Sequence, residues 1–441
     1  MARTVLFLYR RSRGKLMHRG LAFPLAIFLL SFSQQPVCSA DVTRTSSEAV
    51  AALKLQLGQP PVSFDELVKK PFAETPLTRA DADSAASLIR DFTTNELRVT
   101  RAKEMQKKVV KLGDLSMPFF YRTFGNKPKS GWSLYISMHG GGGVAAQTND
   151  QQWENQKRLY QLEEGIYLAP RAATNTWNLW HQGHIDEFFL RLIANLVAFE
   201  GVDPDRVFLM GYSAGGDGVY QLAPRMADQF AAAAMMAGHP NETSPLGLRN
   251  LPFAIHVGEN DAGYGRNARA IDWKTRLADL QKDDTDGYTH LVRLHAGKGH
   301  WMDRQDAEAI SWMAKFRRNR NPLRIVWKQD DVVHDRFYWL AVSPGDMKPR
   351  GEMIATRDGQ TIRIEKADAK RVTILLSDEF VKLDEEVVVL SGGNELIRNV
   401  VPRTIRSLVE TIRDRGGLSA AFSARLDVAI PQPEEAVKNS Q

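Results

Sequence analysis

The chain predicts an α/β fold: a mostly parallel sheet flanked by helices, with an N-terminal helical extension and a C-terminal β-rich module. Three observations carry this expectation. Between Leu115 and Phe316, short apolar runs alternate with longer helix-favouring segments, the pattern of strand–helix units around a parallel sheet. After Arg317-Arg318-Asn319-Arg320-Asn321-Pro322 the texture turns β-rich. Between the two halves of the alternating region, the apolar run Val207–Met210 passes through Gly211-Tyr212-Ser213-Ala214-Gly215-Gly216 into a helix-like segment, so glycines mark a sharp strand-to-helix turn.

The elements are taken in chain order. Residues 1–40 carry Arg3, Arg10, Arg11, Arg13, Lys15 and Arg19, then an apolar run from Leu21 to Phe32, then Val37-Cys38-Ser39-Ala40. That order reads as an export signal cleaved near Ala40, which implies a secreted or periplasmic mature protein. The apolar run is shorter than the roughly 20 residues a membrane span needs, so no stable membrane insertion is expected after removal; an uncleaved anchor is the alternative. The leader also accounts for the basic balance. It holds six of the 58 Lys and Arg and no acidic residue, so its removal leaves 52 basic against 52 acidic side chains. A formally neutral mature chain gives no argument for nucleic acid as a partner. Cys38, the single cysteine, leaves with the leader, which excludes disulfides and thiol nucleophiles from the mature protein.

Residues 41–112 are charged and helix-favouring, broken at Pro60-Pro61 and Pro71, and read as an extension that covers one edge of the main domain or serves as a lid. The main domain is placed at 113–320. Its expected strands are Phe119–Phe124, Ser133–Met138, Gly165–Leu168, Val207–Met210, Phe230–Met236, Phe253–Val257 and His290–Leu294. Its expected helices are Gln152–Gln161, Ile185–Phe199, Ala214–Ala227, Arg266–Lys282 and Gln305–Arg317, the last capped by Asp303. Residues 321–441 are read as a separate small sandwich with strands Leu323–Lys328, Arg336–Val342, Met353–Ile364 folded at Asp358-Gly359, Val372–Leu376, Glu386–Leu390 and Ala424–Ile430, plus a helix Arg403–Arg413.

The chemistry starts from Ser213. A serine hydroxyl is a weak nucleophile until a base takes its proton, and the base needs an orienting carboxylate. The pattern G-x-S-x-G at a strand-to-helix turn is that of a nucleophile elbow, where the order along the chain is serine, acid, histidine. Strand Phe253–Val257 runs into Gly258-Glu259-Asn260-Asp261, which offers Asp261 as the acid with Glu259 as substitute. Strand His290–Leu294 runs into Ala296-Gly297-Lys298-Gly299-His300-Trp301, a glycine-rich loop that offers His300 as the base. His256 reads as a packed strand residue instead. A glycine run, His139-Gly140-Gly141-Gly142-Gly143, follows a third strand; backbone N–H groups there, at Gly140 and Gly141, with that of Ala214, suit the negative oxygen of a tetrahedral intermediate. His139 reads as structural rather than catalytic, though it stands at the pocket.

With these segments together, residues 115–317 resemble the α/β-hydrolase superfamily. They look closest to the secreted esterase branch that is similar to polyhydroxybutyrate depolymerases, dienelactone hydrolases and phospholipase/carboxylesterases. The resemblance implies a serine esterase with Ser213, Asp261 and His300 as its triad and no cofactor. The glycine run has one more glycine than the esterase pattern, and the extra N- and C-terminal parts leave the substrate open. The ester is expected to be small or polymeric, with a carbohydrate ester as one option. Trp177 and Trp180 read as a flat wall or as loop packing, Tyr212 and Trp301 stand beside Ser213 and His300, and Trp301 is expected to shield the imidazole from water. His181, His184 and Asp186 do not form a strong metal spacing, so no metal is assigned. Asp217 reads as a brace for the helix start. Two other functions stay open: a serine peptidase of the prolyl-oligopeptidase kind, and a non-catalytic binding protein whose β-rich module holds a glycan or partner.

Overall fold

The computed structural model describes residues 39–59, 61–414 and 421–431. Residues 1–38 of the leader, with Cys38, lie outside the described residues, and Ala40 falls in the first helix. The described residues, from Ser39 onward, form one compact unit.

Four helices come first: α1 (Ser39–Leu57), α2 (Phe64–Leu67), α3 (Arg79–Thr100) and α4 (Ala102–Lys107). Thr78 caps α3 by accepting the Asp81 N–H, which satisfies one of the donors a helix start leaves unpaired. The strands of the main sheet follow: β1 (Val109–Leu112), β2 (Leu115–Phe124), β3 (Trp132–Met138), β4 (Gly165–Pro170), β5 (Val202–Tyr212), β6 (Ala232–Met236), β7 (Phe253–Gly258) and β8 (His290–His295). They lie in the order β1-β2-β4-β3-β5-β6-β7-β8, antiparallel through β4 and parallel from β4 onward.

The strand sequences explain why this sheet is covered on both faces. In β3, Leu134, Ile136 and Met138 enter one apolar cluster while Tyr135 enters another. In β5, Val207 and Leu209 join the first cluster and Phe208 and Met210 the second. Alternation with period two, apolar on both faces, is what a buried parallel strand requires. Tyr135 and Phe208 stack across the pair at 4.6 Å. The covering helices are α5 (Ala146–Gln156), α6 (His184–Glu200), α7 (Ala214–Arg225), α8 (Arg266–Asp283) and α9 (Glu308–Met313). The chain leaves β3 towards β4 on one side and β5 on the other, so the loops after β3 and β5 open a crevice at the carboxyl edge of the sheet.

The helix expected at Gln305–Arg317 is instead one turn of 3-10 helix, Gln305–Ala307, followed by the short α9. Asp303 does not cap it. Its φ is 53°, and its carboxylate binds Lys298 Nζ at 2.7 Å.

Beyond residue 320, β9 (Arg324–Lys328), β10 (Arg336–Phe337), β11 (Leu340–Ala341), β12 (Glu352–Asp358), β13 (Thr361–Ala367), β14 (Arg371–Leu376), β15 (Val387–Ser391), β16 (Asn394–Asn399), helix α10 (Ile405–Arg413) and β17 (Ala424–Ala429) build two further sheets. Arg336–Val342 is not one strand. Tyr338 takes φ 52° and turns the chain between β10 and β11, where its hydroxyl donates to Ala227 O at 3.1 Å and Trp339 Nε1 donates to Pro322 O at 2.8 Å. Two buried aromatic rings, one tied to the main domain at Ala227 and one to Pro322 just after it, thus outweigh the strand preference of the segment. The edge strand β16 was not expected, because Asn394-Glu395-Leu396-Ile397-Arg398-Asn399 is mostly polar.

Ile325, Trp327, Phe337 and Trp339 belong to the same apolar cluster as Leu209 and Phe253. The helices α1 and α3 share a smaller cluster with α10, through Leu53, Ala85, Ile89, Leu408 and Ile412. Farther along α3, Leu97 packs on Ala194 and Ala198 of α6, and Arg98 Nε donates to Ala198 O at 2.7 Å.

Candidate active site

β5 ends at Tyr212 and α7 begins at Ala214, so Ser213 alone makes the turn. It holds φ 58° and ψ −122°, a conformation that residues with a Cβ rarely adopt. The flanking glycines make the turn possible. A Cβ on Gly211 would run into the carbonyl of Gly215, and one on Gly215 into the carbonyl of Met138 on β3. The Ser213 N–H donates to Met236 O at 2.9 Å, which ties the turn to β6.

The loops after β7 and β8 bring an acid and an imidazole to this turn. His300 Nε2 lies 3.0 Å from Ser213 Oγ, and Nδ1 lies 2.8 Å from Asp261 Oδ2. Asp261 is buried while the His300 side chain is 45% exposed. Glu259 has a different role: its carboxylate accepts the Gly297 N–H at 2.9 Å and braces the loop that carries His300. The two loops also touch at Gly258, where a Cβ would overlap the backbone of Lys298 and Gly299. Arg266 Nη1 stands 3.5 Å from Asp261 Oδ1 and donates to Gly263 O at 3.2 Å. No sequence motif signals this arginine, whose position depends on the start of α8.

The glycine run leaves β3 beside the serine. A Cβ on Gly140 would sit 3.2 Å from Ser213 Cβ and 3.7 Å from its Oγ. Among the described residues, the N–H groups of Gly140, Gly141 and Ala214 make no internal hydrogen bond. Unpaired donors beside a serine hydroxyl are what an oxyanion would need.

Several expected pocket residues lie elsewhere. His139 is fully buried. Its Nε2 accepts the Ala172 N–H at 3.2 Å, so Nδ1 carries the proton and donates to Gly140 O at 2.6 Å; burial lowers its pKa to about 4. Trp180 is also fully buried and donates Nε1–H to His139 O at 2.9 Å, which corrects its reading as a wall: it supports the loop from behind. Tyr212 spends its hydroxyl on backbone, donating to His300 O at 2.6 Å and accepting the Met302 N–H at 3.2 Å. Trp301 packs on the Tyr212 ring, centroids 5.7 Å apart, and leaves the imidazole half exposed rather than shielded. Trp177 does stand in solvent, 65% exposed, with its edge against His181. The oxygens of Asp186 are held by Arg225 and His334 at 2.6–3.0 Å. Asp217 accepts the His239 N–H at 2.6 Å, and burial raises its carboxyl to about 6.

Residues 159–319 match the model of the dienelactone hydrolase family. The match spans 161 of the 441 residues and is a similarity to that family over this part of the chain. The matched span contains Ser213, Asp261 and His300; the glycine run, the N-terminal helices and the β-rich sheets lie outside it. No curated protein matches the chain. Similar solved structures include a thermostable esterase, 17% identical with a TM-score of 0.38, covering 48% of this chain and 62% of its own. The chain therefore spans less than two thirds of that esterase. The poly(3-hydroxybutyrate) depolymerase LpqC from Bordetella parapertussis is 16% identical, TM-score 0.36, covering 47% of this chain and 86% of its own. The S954A mutant of a feruloyl esterase module from Clostridium thermocellum, complexed with sinapinate, is 15% identical, TM-score 0.33, covering 46% and 83%.

Proposed function

We propose that the chain is an exported serine hydrolase that cleaves carboxylic esters through an acyl-enzyme. One observation carries this reading: the hydrogen-bonded line from Asp261 through His300 to a serine held at φ 58° and ψ −122°. The match of residues 159–319 to the dienelactone hydrolase family supports ester hydrolysis as the reaction class.

The steps follow from the geometry. His300 Nε2 takes the Ser213 proton as Oγ attacks the acyl carbon, and Asp261 holds the Nδ1–H and faces the imidazolium that forms. The carbonyl oxygen, now negative, is taken by the N–H groups of Gly140, Gly141 and Ala214; each such donor is worth roughly 10²–10³ in rate. Collapse of the intermediate expels the alcohol with the proton from His300, and water then repeats the sequence on the acyl-enzyme. Trp177 and Trp301, 65% and 50% exposed, offer ring faces to the substrate. This suits an ester with a flat sugar or aromatic group, and the open imidazole leaves room for a large one. Export rests on the basic, apolar and small-residue order of the first 40 residues.

The test uses p-nitrophenyl acyl esters and a fluorophosphonate. Hydrolysis together with labelling that disappears in Ser213→Ala supports the reading, and labelling that persists in that variant removes it. Faster cleavage of peptidyl amides than of esters would move the chain to the peptidases. Fractionation of cells that express the full chain tests export, and a cytoplasmic, unprocessed product overturns it.

A further inference from the structure

Besides His139 and Trp180, a third buried side chain grips the glycine run from behind. Asn149, on α5, is fully buried. Its Oδ1 accepts the Gly142 N–H at 3.0 Å, and its Nδ2 donates to Gly142 O at 3.0 Å, so both polar groups of one backbone residue are satisfied by one amide. The orientation of that amide is set by its neighbours. Arg171 Nη2 donates to Asn175 Oδ1 at 2.5 Å, which leaves Asn175 Oδ1 as an acceptor for Asn149 Nδ2 at 3.0 Å; Arg171 is held in turn by Asp150 at 2.9 Å.

The grip has a consequence for the N–H groups nearby. Gly142 has φ +111° and Gly141 φ +106°, and a Cβ on Gly141 would strike Asn149 Oδ1. The Gly142 N–H is committed to Asn149 and not available to a substrate. Those of Gly140 and Gly141 remain unpaired, with Gly140 packed against Ser213. A run of four glycines has many conformations open to it, and selecting one that aims two donors costs backbone entropy. On the far side, the same run lies against Trp177: a Cβ on Gly143 would be 3.4 Å from Trp177 Cβ.

We propose that Asn149 is a positioning residue of the oxyanion hole: its two-point hold on Gly142 fixes the Gly141–Gly142 and Gly142–Gly143 peptide planes, next to the His139 and Gly140 carbonyls that Trp180 Nε1 and His139 Nδ1 hold. The inference rests on the reading of Ser213 as the nucleophile of an ester hydrolase. No other residue of similar size offers an acceptor and a donor at the same spacing: aspartate lacks the donor and leucine lacks both.

The experiment compares the full chain with Asn149→Asp and Asn149→Leu in three measurements. Amide hydrogen exchange of the 138–146 segment is expected to speed up at least tenfold in Asn149→Leu. Ester hydrolysis is expected to lose about 10²-fold in kcat with KM within twofold, because the hole acts on the transition state. Affinity for an aryl boronic acid, whose serine adduct is tetrahedral, is expected to fall in parallel with kcat. Asn149→Asp keeps the acceptor and is expected to fall between. Should Asn149→Leu not fold, Asn175→Ala removes one acceptor of Asn149 Nδ2, leaves the bonds to Gly142, and is expected to lower kcat about tenfold. An active wild type whose variants keep kcat within threefold, or whose exchange at 140–144 does not change, overturns the role of Asn149 alone. A wild type that neither hydrolyses esters nor binds the boronic acid overturns the esterase reading, and this inference with it.

Discussion

The hydroxyl of Tyr212, the residue before the candidate nucleophile, donates to the backbone carbonyl of His300 at 2.6 Å and accepts the Met302 N–H at 3.2 Å. The loop that delivers the imidazole is thereby latched to the strand that delivers the serine. Tyr212→Phe keeps the ring packing on Trp301 and removes only the latch. It is expected to lower kcat about tenfold with little change in KM, at a stability cost of about 1 kcal/mol, and steady-state kinetics with a thermal melt check this. Unchanged kcat would mean that Gly258 and Glu259 hold the loop unaided.

The glycines of the chain divide into two kinds. Gly215→Ala places a methyl group into the Met138 carbonyl, where only backbone could yield, and is expected to abolish soluble folded protein or displace Ser213 enough to end fluorophosphonate labelling. Gly297, at φ +68°, has open space around it, so Gly297→Ala is expected to cost only about 1 kcal/mol of backbone strain and to leave a foldable, labelled protein. Equal behaviour of the two variants in expression and labelling would contradict the contacts at the elbow.

Asp217 supplies a stability term that depends on pH. Burial raises its carboxyl from 3.8 to about 6, so the folded state holds a proton that the unfolded state has released between those values. Its contribution is present below about pH 4 and is lost as pH rises through 6. An asparagine in its place would keep the acceptor for the His239 N–H and remove the buried charge. Asp217→Asn is therefore expected to be more stable than the parent at pH 8, by on the order of 1–3 kcal/mol, and no more stable at pH 4. Denaturant melts at the two pH values decide it.

His256 has the opposite sign. It is buried against His295, with Nδ1 3.1 Å from His295 Nε2, and burial lowers its pKa to about 3. The unfolded chain takes up a proton near pH 6.5 that the folded chain refuses, so stability is full above 6.5 and declines as pH falls towards 3. At pH 5 this amounts to about 2 kcal/mol, as it does for His139, whose pKa is lowered to about 4. His256→Leu is expected to flatten the fall between pH 7 and 5 by about that amount, which equilibrium unfolding across the range measures. An unchanged slope would assign the acid sensitivity to other groups.

Where the sequence was legible, the reason was local. Glycines at 211, 215 and 216 and an apolar run before them describe a backbone path that few other residues allow, so the turn at Ser213 could be read without a fold. The loops after β7 and β8 were legible because the carboxyl edge of a parallel sheet collects whatever follows its strands. Trp180 was not, since an indole reads the same whether it faces solvent or closes a core, and only the path of the 172–183 loop puts it behind His139. Arg266 and Asn149 were hidden for a related reason. Each acts through a contact with a backbone or carboxyl group that no recognisable spacing announces. Tyr338 broke an expected strand because its two partners, Asp228 and Ala227, belong to another part of the protein.

The apolar cluster that continues from the parallel sheet into the β-rich sheets leaves neither half with a finished interior. Asn250 donates to Arg324 O and Tyr338 to Ala227 O across the seam, and Trp327 and Phe337 lie in the shared cluster. A polypeptide ended near residue 320 would present that seam raw to water and aggregate, and heat should melt the whole protein in one step. Recombination by swapping parts, workable for beads on a string, has no clean place here to cut.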